Sequence, residues 1–252
     1  MSTYFYDLHI HSCLSPCADD DMTPNNIAGM AALKGLNLLA LTDHNSCQNC
    51  PAFFEACRNQ GIVPVAGMEL TTAEDIHLVC LFEHLDQAMA FDAEIAKHRM
   101  PMKNRTEIFG NQWILDSEDE LIGEEEILLI AATDLWIGDA IALAKQFGAH
   151  VHPAHIDRES NGIVAILGDI PEEYGFACFE FNDSTNIDPY MDRFSQIRQD
   201  AVLVCSDAHH LWDINEAENS MDLEDEPYSS ALVRKKLFEY FNRFSDFIFE
   251  FI

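Results

Sequence analysis

Basic residues are what this chain most lacks. Against 44 Asp and Glu it carries only 14 Lys and Arg, for a formal net charge of −30. A nucleic-acid-binding face needs a basic stripe to release the counterions of phosphates, so long nucleic acid is disfavoured as a partner. An anionic membrane surface is disfavoured on the same ground. No apolar run is long enough to span a bilayer. The first six residues carry neither the basic start nor the apolar stretch of a secretory signal, so a cytoplasmic protein is expected. Its eight cysteines would then stay reduced rather than pair as disulfides. There is no internal repeat, no low-complexity tract, no G-x-G-x-x-G and no P-loop.

What is present begins at Asp7-Leu8-His9-Ile10-His11-Ser12. Read as a strand, alternation points Asp7, His9 and His11 to one face and Tyr6, Leu8 and Ile10 to the other. Two imidazoles two residues apart on a strand can grip one metal ion. Among eleven histidines a single H-x-H is a weak signal. Similar chemistry recurs, however, beside later apolar runs: Thr42-Asp43-His44, Gly67-Met68-Glu69, His152-Pro153-Ala154-His155 and Ser206-Asp207-Ala208-His209.

The length of 252 residues suits one large domain, and 48% hydrophobic content allows a sizeable core. The pattern predicts a strand over Thr3–Ile10, then a helix capped by Thr23 with Pro24 at its first position and closed by Gly35. Leu36–Leu41 reads as a strand buried on both faces. A helix over Ala52–Asn59 and a strand over Ile62–Met68 follow. Too few residues separate Glu69 from the next strand, Ile76–Phe82, for a parallel crossover. The pair is therefore expected to be an antiparallel hairpin that sets His77 at the same end as Glu69. Residues 84–135 break the rhythm with a helix over Leu85–His98 and a small hairpin from Gln112–Leu115 and Glu120–Gly123. This segment is expected to cap the mouth of the fold, the alternative being a solvated excursion. Regular units resume with a helix over Asp134–Phe147 and strands over Ala149–His152, Phe176–Phe181 and Ala201–Cys205. Leu237, Phe241, Phe244, Ile248 and Phe251 recur at helical spacing in a C-terminal helix about 230–252. It is expected to dock on the body of the protein, with a homodimer interface as runner-up.

Strands alternating with helices, with metal-type residues at strand ends, suggest an α/β barrel with its site on one face. Taken in order, Asp7-x-His9-x-His11-Ser12, Thr42-Asp43-His44, Gly67-x-Glu69, His77, Pro153-Ala154-His155 and Ser206-Asp207-Ala208-His209 resemble the PHP family (polymerase and histidinol phosphatase). The resemblance spans residues 7–209. It implies a distorted seven-stranded, TIM-like β/α barrel occupying 1–252 as a single domain, with an insertion about 84–135. It also implies two or three divalent transition metals. His9, His11, Glu69 and Asp207 would hold the first. Glu69 would bridge to a second completed by His77 and His155. Asp19, His44 and His209 would hold a third, with Asp20 in reserve for Asp19 because the loop is longer than the family's usual one.

These oxygen and imidazole donors suit Zn, Mn or Fe in an open, catalytic site. Metal-bound hydroxide would be the nucleophile, with Glu69 as bridging and Asp43 as orienting catalytic carboxylate. The expected activity is hydrolysis of a small phosphorylated metabolite or nucleotide. A non-catalytic metal-binding module and a nuclease acting on oligonucleotides are the alternatives. Arg158 and His210 are candidate substrate contacts, Arg158 for its bidentate fork toward phosphate. His152 is expected mainly to face away from the site, and His84, His98 and His150 to be surface or loop residues. Cys13, Cys17, Cys47 and Cys50 fall on two loops of the same face. They could bind a structural zinc or a cluster, or simply remain free thiols.

Overall fold

The computed structural model describes residues 1–243. β1 (Ser2–Asp7) leads through a long loop to α1 (Pro24–Leu33) and β2 (Leu38–Leu41). α2 (Cys50–Gln60) returns the chain to β3 (Val63–Thr71), which turns directly into β4 (His77–Phe82). Then come α3 (Leu85–Ile95), α4 (Thr106–Phe109) and the hairpin of β5 (Trp113–Leu115) and β6 (Leu121–Glu124). α5 (Ile137–Gln146), β7 (His150–Pro153), α6 (Ile163–Leu167), β8 (Phe179–Phe181) and α7 (Ile187–Arg193) follow. β9 (Val202–Val204), β10 (Ser220–Leu223) and α8 (Ser230–Asn242) end the described chain.

Local chemistry accounts for the boundaries. Thr23 Oγ1 accepts the Asn26 amide at 3.3 Å while Pro24 takes a position whose amide needs no partner, so α1 starts there. α2 stops at Gly61, whose φ of 73° favours a residue without a Cβ.

The fold is α/β around a curled, mixed sheet with strand order β10-β1-β2-β3-β4-β7. β1, β2 and β3 run parallel, while β4 is antiparallel to both β3 and β7. β8 and β9 form a separate parallel pair. Single backbone hydrogen bonds join the two sheets: Ile156 N to Glu180 O at 2.9 Å and His11 N to Ala208 O at 3.0 Å. The short β3–β4 connection pairs Thr71 with His77, so His77 starts its strand where β3 finishes. β10, antiparallel to β1, has no counterpart in the sequence reading.

The apolar strands serve two cores because alternate residues face opposite ways. Leu38, Ala40, Val63 and Val65 pack in the inner core, whereas Leu39, Leu41, Ala66 and Met68 pack beneath the helices. α8 seals the inner core with Val233, Leu237, Phe238 and Phe241. Arg234 fixes α8 to the carbonyls of Pro64 and Glu83, at the end of the sheet away from Glu69. The helix thus docks on the body as far as Asn242; Phe244, Ile248 and Phe251 lie outside the described residues. His150, expected at the surface, instead stacks on Phe241 with ring centroids 4.0 Å apart, and burial pushes its pKa well down. Among the described residues, no helix is long and apolar enough to cross a membrane.

Candidate metal centre

Beyond the last residue of β1 the chain stays extended, with Ile10 bridging to Ala208 in parallel. His9 and His11 therefore emerge on one face, while Leu8 and Ile10 are fully buried among apolar neighbours. β3 is buried along its whole length and carries Glu69 two residues before its end, where its backbone bridges to His44 after β2. Gly67, two residues earlier, admits no side chain. A Cβ there would stand 2.8 Å from Thr42 Cγ2 and 2.9 Å from Leu81 Cδ2. Close approach of the flanking strands is what sets Glu69 in its place.

Five histidines meet that one carboxylate. Glu69 Oε1 lies 2.7 Å from His77 Nδ1, 3.1 Å from His155 Nε2 and 3.3 Å from His9 Nε2. Oε2 lies 3.0 Å from His44 Nδ1 and 3.3 Å from His11 Nε2. Asp207 Oδ1 stands 3.3 Å from His9 Nε2 and 3.1 Å from His11 Nε2, and those two nitrogens are 3.1 Å apart. His209 stacks on His11 with ring centroids 4.2 Å apart and lies 6.0 Å from the His44 ring. The side chains that can surround an ion form three overlapping groups: His9-His11-Glu69-Asp207, His44-Glu69-His77 and His11-His44-His209.

The outer nitrogens decide what the inner ones can do. Ser15 Oγ donates to Asp43 Oδ1 at 2.7 Å and accepts the His44 amide at 3.1 Å, so it can only accept from His11 Nδ1, 2.9 Å away. His9 Nδ1 faces Glu180 Oε1 at 2.8 Å, and His209 Nδ1 donates to the Asp207 carbonyl at 2.8 Å. Each ring thus keeps its proton on Nδ1 and presents a lone pair through Nε2. His9 Nε2, His11 Nε2, Glu69 and Asp207 are then four acceptors facing one another, which is stable only around a cation. The contacts among these groups span 3.1–3.3 Å, and one donor atom from each lies within 4.8 Å of the other three, close enough to share one ion. The residues fit a metal ion.

The same contacts shift the protonation of the rings. Burial opposes charging His9, but Glu180, Glu69 and Asp207 outweigh it and raise its pKa well above the usual value. Burial likewise opposes charging His11, yet Asp207 and Glu69 push it up to about 9. For His44, burial and the neighbouring His11 oppose the proton, but Glu69 and the Cys17 thiol raise it to about 9. Burial, then His11, brings His209 down to about 3, leaving it neutral. Glu69 is buried, which alone would raise it, but the rings of His77, His9 and His44 hold it well below the carboxylate range.

The structure thus brings together eight of the nine metal-type residues picked from the sequence, all except Asp19. The Asp19 carboxylate is exposed and lies 3.4 Å from His210 Nδ1; only its backbone, donating to His209 O, touches the site. The longer loop swings the side chain outward, and His11 joins His44 and His209 in its stead. His210 therefore faces Asp19 on the rim. Asp43 contacts no histidine directly: it binds Ser12 N, Ser12 Oγ and Ser15 Oγ and reaches His11 only through Ser15. The cysteines do not assemble. Cys47 and Cys50 both donate to Gly67 O, at 3.1 and 3.7 Å, Cys13 is buried, and Cys17 is the exposed one that touches His44. Arg158 lines a cavity of about 160 Å³ above Glu69, with its guanidinium on Asp207 Oδ2.

Sequence reasoning passed over Ser15 and Glu180. The signal for Glu180 was a lone charge inside the apolar run Phe176–Phe181. Two residues of the cluster also sit in the left-handed backbone region, His155 at φ 27° and Asp207 at φ 53°. Such angles are uncommon outside glycine, though Asp and His adopt them more readily than most, and here the surrounding structure holds them.

A family description for the PHP domain matches residues 7–170, well over half of the chain. The chain belongs to the PHP family. This is a family of metal-dependent phosphoesterases, in keeping with the buried His, Glu and Asp cluster. An error-prone DNA polymerase of Symbiobacterium thermophilum is 38% identical over 77 residues, which is 31% of this chain and 7% of that protein. The lesion-specific endonuclease PfuEndoQ of Pyrococcus furiosus superposes with a TM-score of 0.62 at 19% identity, over 93% of this chain and 55% of that one. A Bifidobacterium adolescentis protein described as a metal-dependent phosphoesterase gives 0.59 at 17% identity, over 92% and 95%. The PHP chain described here therefore spans a small part of the polymerase and about half of the endonuclease. At these identities the two solved structures speak to fold.

Proposed function

We propose that this PHP chain is a metal-dependent phosphoesterase acting on a small phosphorylated metabolite or nucleotide. The observation that carries the reading is Glu69 beneath the cavity, touched by five imidazoles and overlooked by Arg158. His9, His11, Glu69 and Asp207 would hold one ion. Glu69, His77 and His155, with His44 beside them, would hold a second, and His11, His44 and His209 a third. When bound, such ions supply Lewis acidity that polarises phosphoryl oxygens and activates water. Zn, Mn and Fe all suit these donors.

The chain's own residues do the positioning. Glu69 is shared between the first two groups and so sets their spacing. Asp43 and Ser15 hold the ring of His11. Arg158 is 46% exposed and tied to Asp207 by one nitrogen, which leaves further N–H groups for a phosphate. A cavity of about 160 Å³ is small beside the ~300–1,000 Å³ of sites that enclose drug-sized ligands, which favours a phosphoryl group with a small remainder. The charge of −30 acts against long polyanions. An oligonucleotide substrate is the second reading, favoured by the likeness to the endonuclease.

Protein purified without chelators and loaded with Mn or Zn should carry two or three ions and hydrolyse small phosphomonoesters faster than long DNA at matched low salt. Glu69→Gln should lose at least one ion and nearly all turnover while staying folded. Less than one ion after loading would refute the metal centre. Faster degradation of long DNA would reverse the substrate ranking.

A further inference from the structure

Glu180 is a buried carboxylate with no place among the metal groups. It lies on β8, a strand that supplies no ligand, and is fully buried. Its Oε1 accepts from His9 Nδ1 at 2.8 Å and from the His155 backbone amide at 3.0 Å. Its Oε2 lies 3.4 Å from His152 Nε2. One oxygen atom therefore touches the ring of one cluster residue and the backbone of another, just beyond the ends of two separate strands.

We propose that Glu180 is a positioning residue that locks His9 in the Nδ1–H tautomer and keeps its Nε2 lone pair turned into the metal site. The inference rests on the metal-centre reading given above. The ring of His9 has acceptors on both sides. Nε2 lies 3.3 Å from both Glu69 Oε1 and Asp207 Oδ1, so once the ring has given up one of its two protons, the one that remains would, without Glu180, sit there and block the lone pair. At 2.8 Å, Glu180 offers the shorter, charge-assisted hydrogen bond and draws the proton to Nδ1. The same Oε1 holds the amide of His155, whose left-handed backbone needs a fixed partner to persist. His152 steadies the carboxylate from its other oxygen. That gives this histidine a part in the site without contact with the other imidazoles around Glu69.

A merely structural carboxylate would change stability and nothing else, so the test reads the tautomer and the metal. Wild type, Glu180→Gln and Glu180→Met are titrated with zinc against a competing chelator. Histidine tautomers are read by nitrogen-15 NMR at alkaline pH, where the rings have lost their second proton, and the melting of the metal-free forms is followed. Glu180→Met should weaken zinc binding by about 10–100-fold, the usual effect of losing the partner of a ligand histidine, and should shift the His9 proton to Nε2. Glu180→Gln keeps one acceptor oxygen and should fall between Met and wild type with little change in melting. If the Met variant does not fold, Gln decides alone, a loss approaching tenfold being the supporting result. Wild-type zinc affinity with an unchanged tautomer in a folded variant would overturn the role of Glu180 while leaving the metal centre standing. Failure of the wild type itself to bind zinc would overturn both.

Discussion

Binding of the first metal ion should expel about two protons. The metal-free cluster holds protons on His9, whose pKa is well raised, and on His11, at about 9. Both rings must give up the Nε2 proton before that nitrogen can ligate, whereas Glu69 and Asp207 are already ionised. Affinity should therefore rise with pH and level off only above about 9, the direction set by ligands whose protons compete with the metal. Two protons per ion correspond to about 100-fold in the binding constant per pH unit, or about 2.7 kcal/mol, twice the cost of one protonation step. Filling the His44-Glu69-His77 group should release about one more, because His44 also titrates near 9 while burial lowers His77. Zinc titrated into metal-free protein near neutral pH with an indicator dye gives the stoichiometry directly. Calorimetry in two buffers of different ionisation heat gives it independently. Release of fewer than about half a proton per ion, or an affinity flat between pH 6 and 8, would refute the proton-filled cluster.

Arg158→Ala should leave metal content intact, since Arg158 binds Oδ2 of Asp207 whereas Oδ1 faces the cluster, and should raise KM by about tenfold or more for loss of a charge-assisted contact. A kcat loss with unchanged KM would place Arg158 in the chemistry instead. Gly67→Ala should cost about 1–3 kcal/mol in urea unfolding, because the new Cβ meets Thr42 and Leu81 at under 3 Å on both flanks. Wild-type stability there would mean that the strands can part.

The centre was legible where its chemistry coincides with strand ends. His9 and His11 announce themselves by alternation, and the short link between Glu69 and His77 forces a hairpin whatever the rest of the fold does. Helix starts and stops at Pro24 and Gly61 follow from local sterics and were equally readable. The hairpin of Trp113–Leu115 with Leu121–Glu124 was foreseen, and it packs on the site loops through Trp113 N to Cys13 O and Leu115 N to Asn49 Oδ1. The Asp19 carboxylate lies on the rim beside His210, because counting back from Pro24 says nothing of how a lengthened loop folds. Glu180 and Ser15 act through hydrogen bonds on their neighbours, and such contacts leave no periodicity to read. His150 was misjudged because its burial depends on Phe241 of α8, about ninety residues further along the chain. The strand Ser220–Leu223 is short, and two of its four residues are acidic or hydroxylic and exposed, so pattern alone hid it.

His155 and Asp207 hold their side chains toward Glu69 only by keeping their backbones in the left-handed region, at a cost on the order of 1–3 kcal/mol each. That cost bears on how such a chain can change over generations. A glycine at either position would relax the backbone while deleting the carboxylate or imidazole, so loss of the chemistry and gain of robustness lie one substitution apart. Selection for folding alone would push this fold toward inactivity. Only continued selection for what the centre does can keep an aspartate and a histidine at two turns where the backbone would prefer neither.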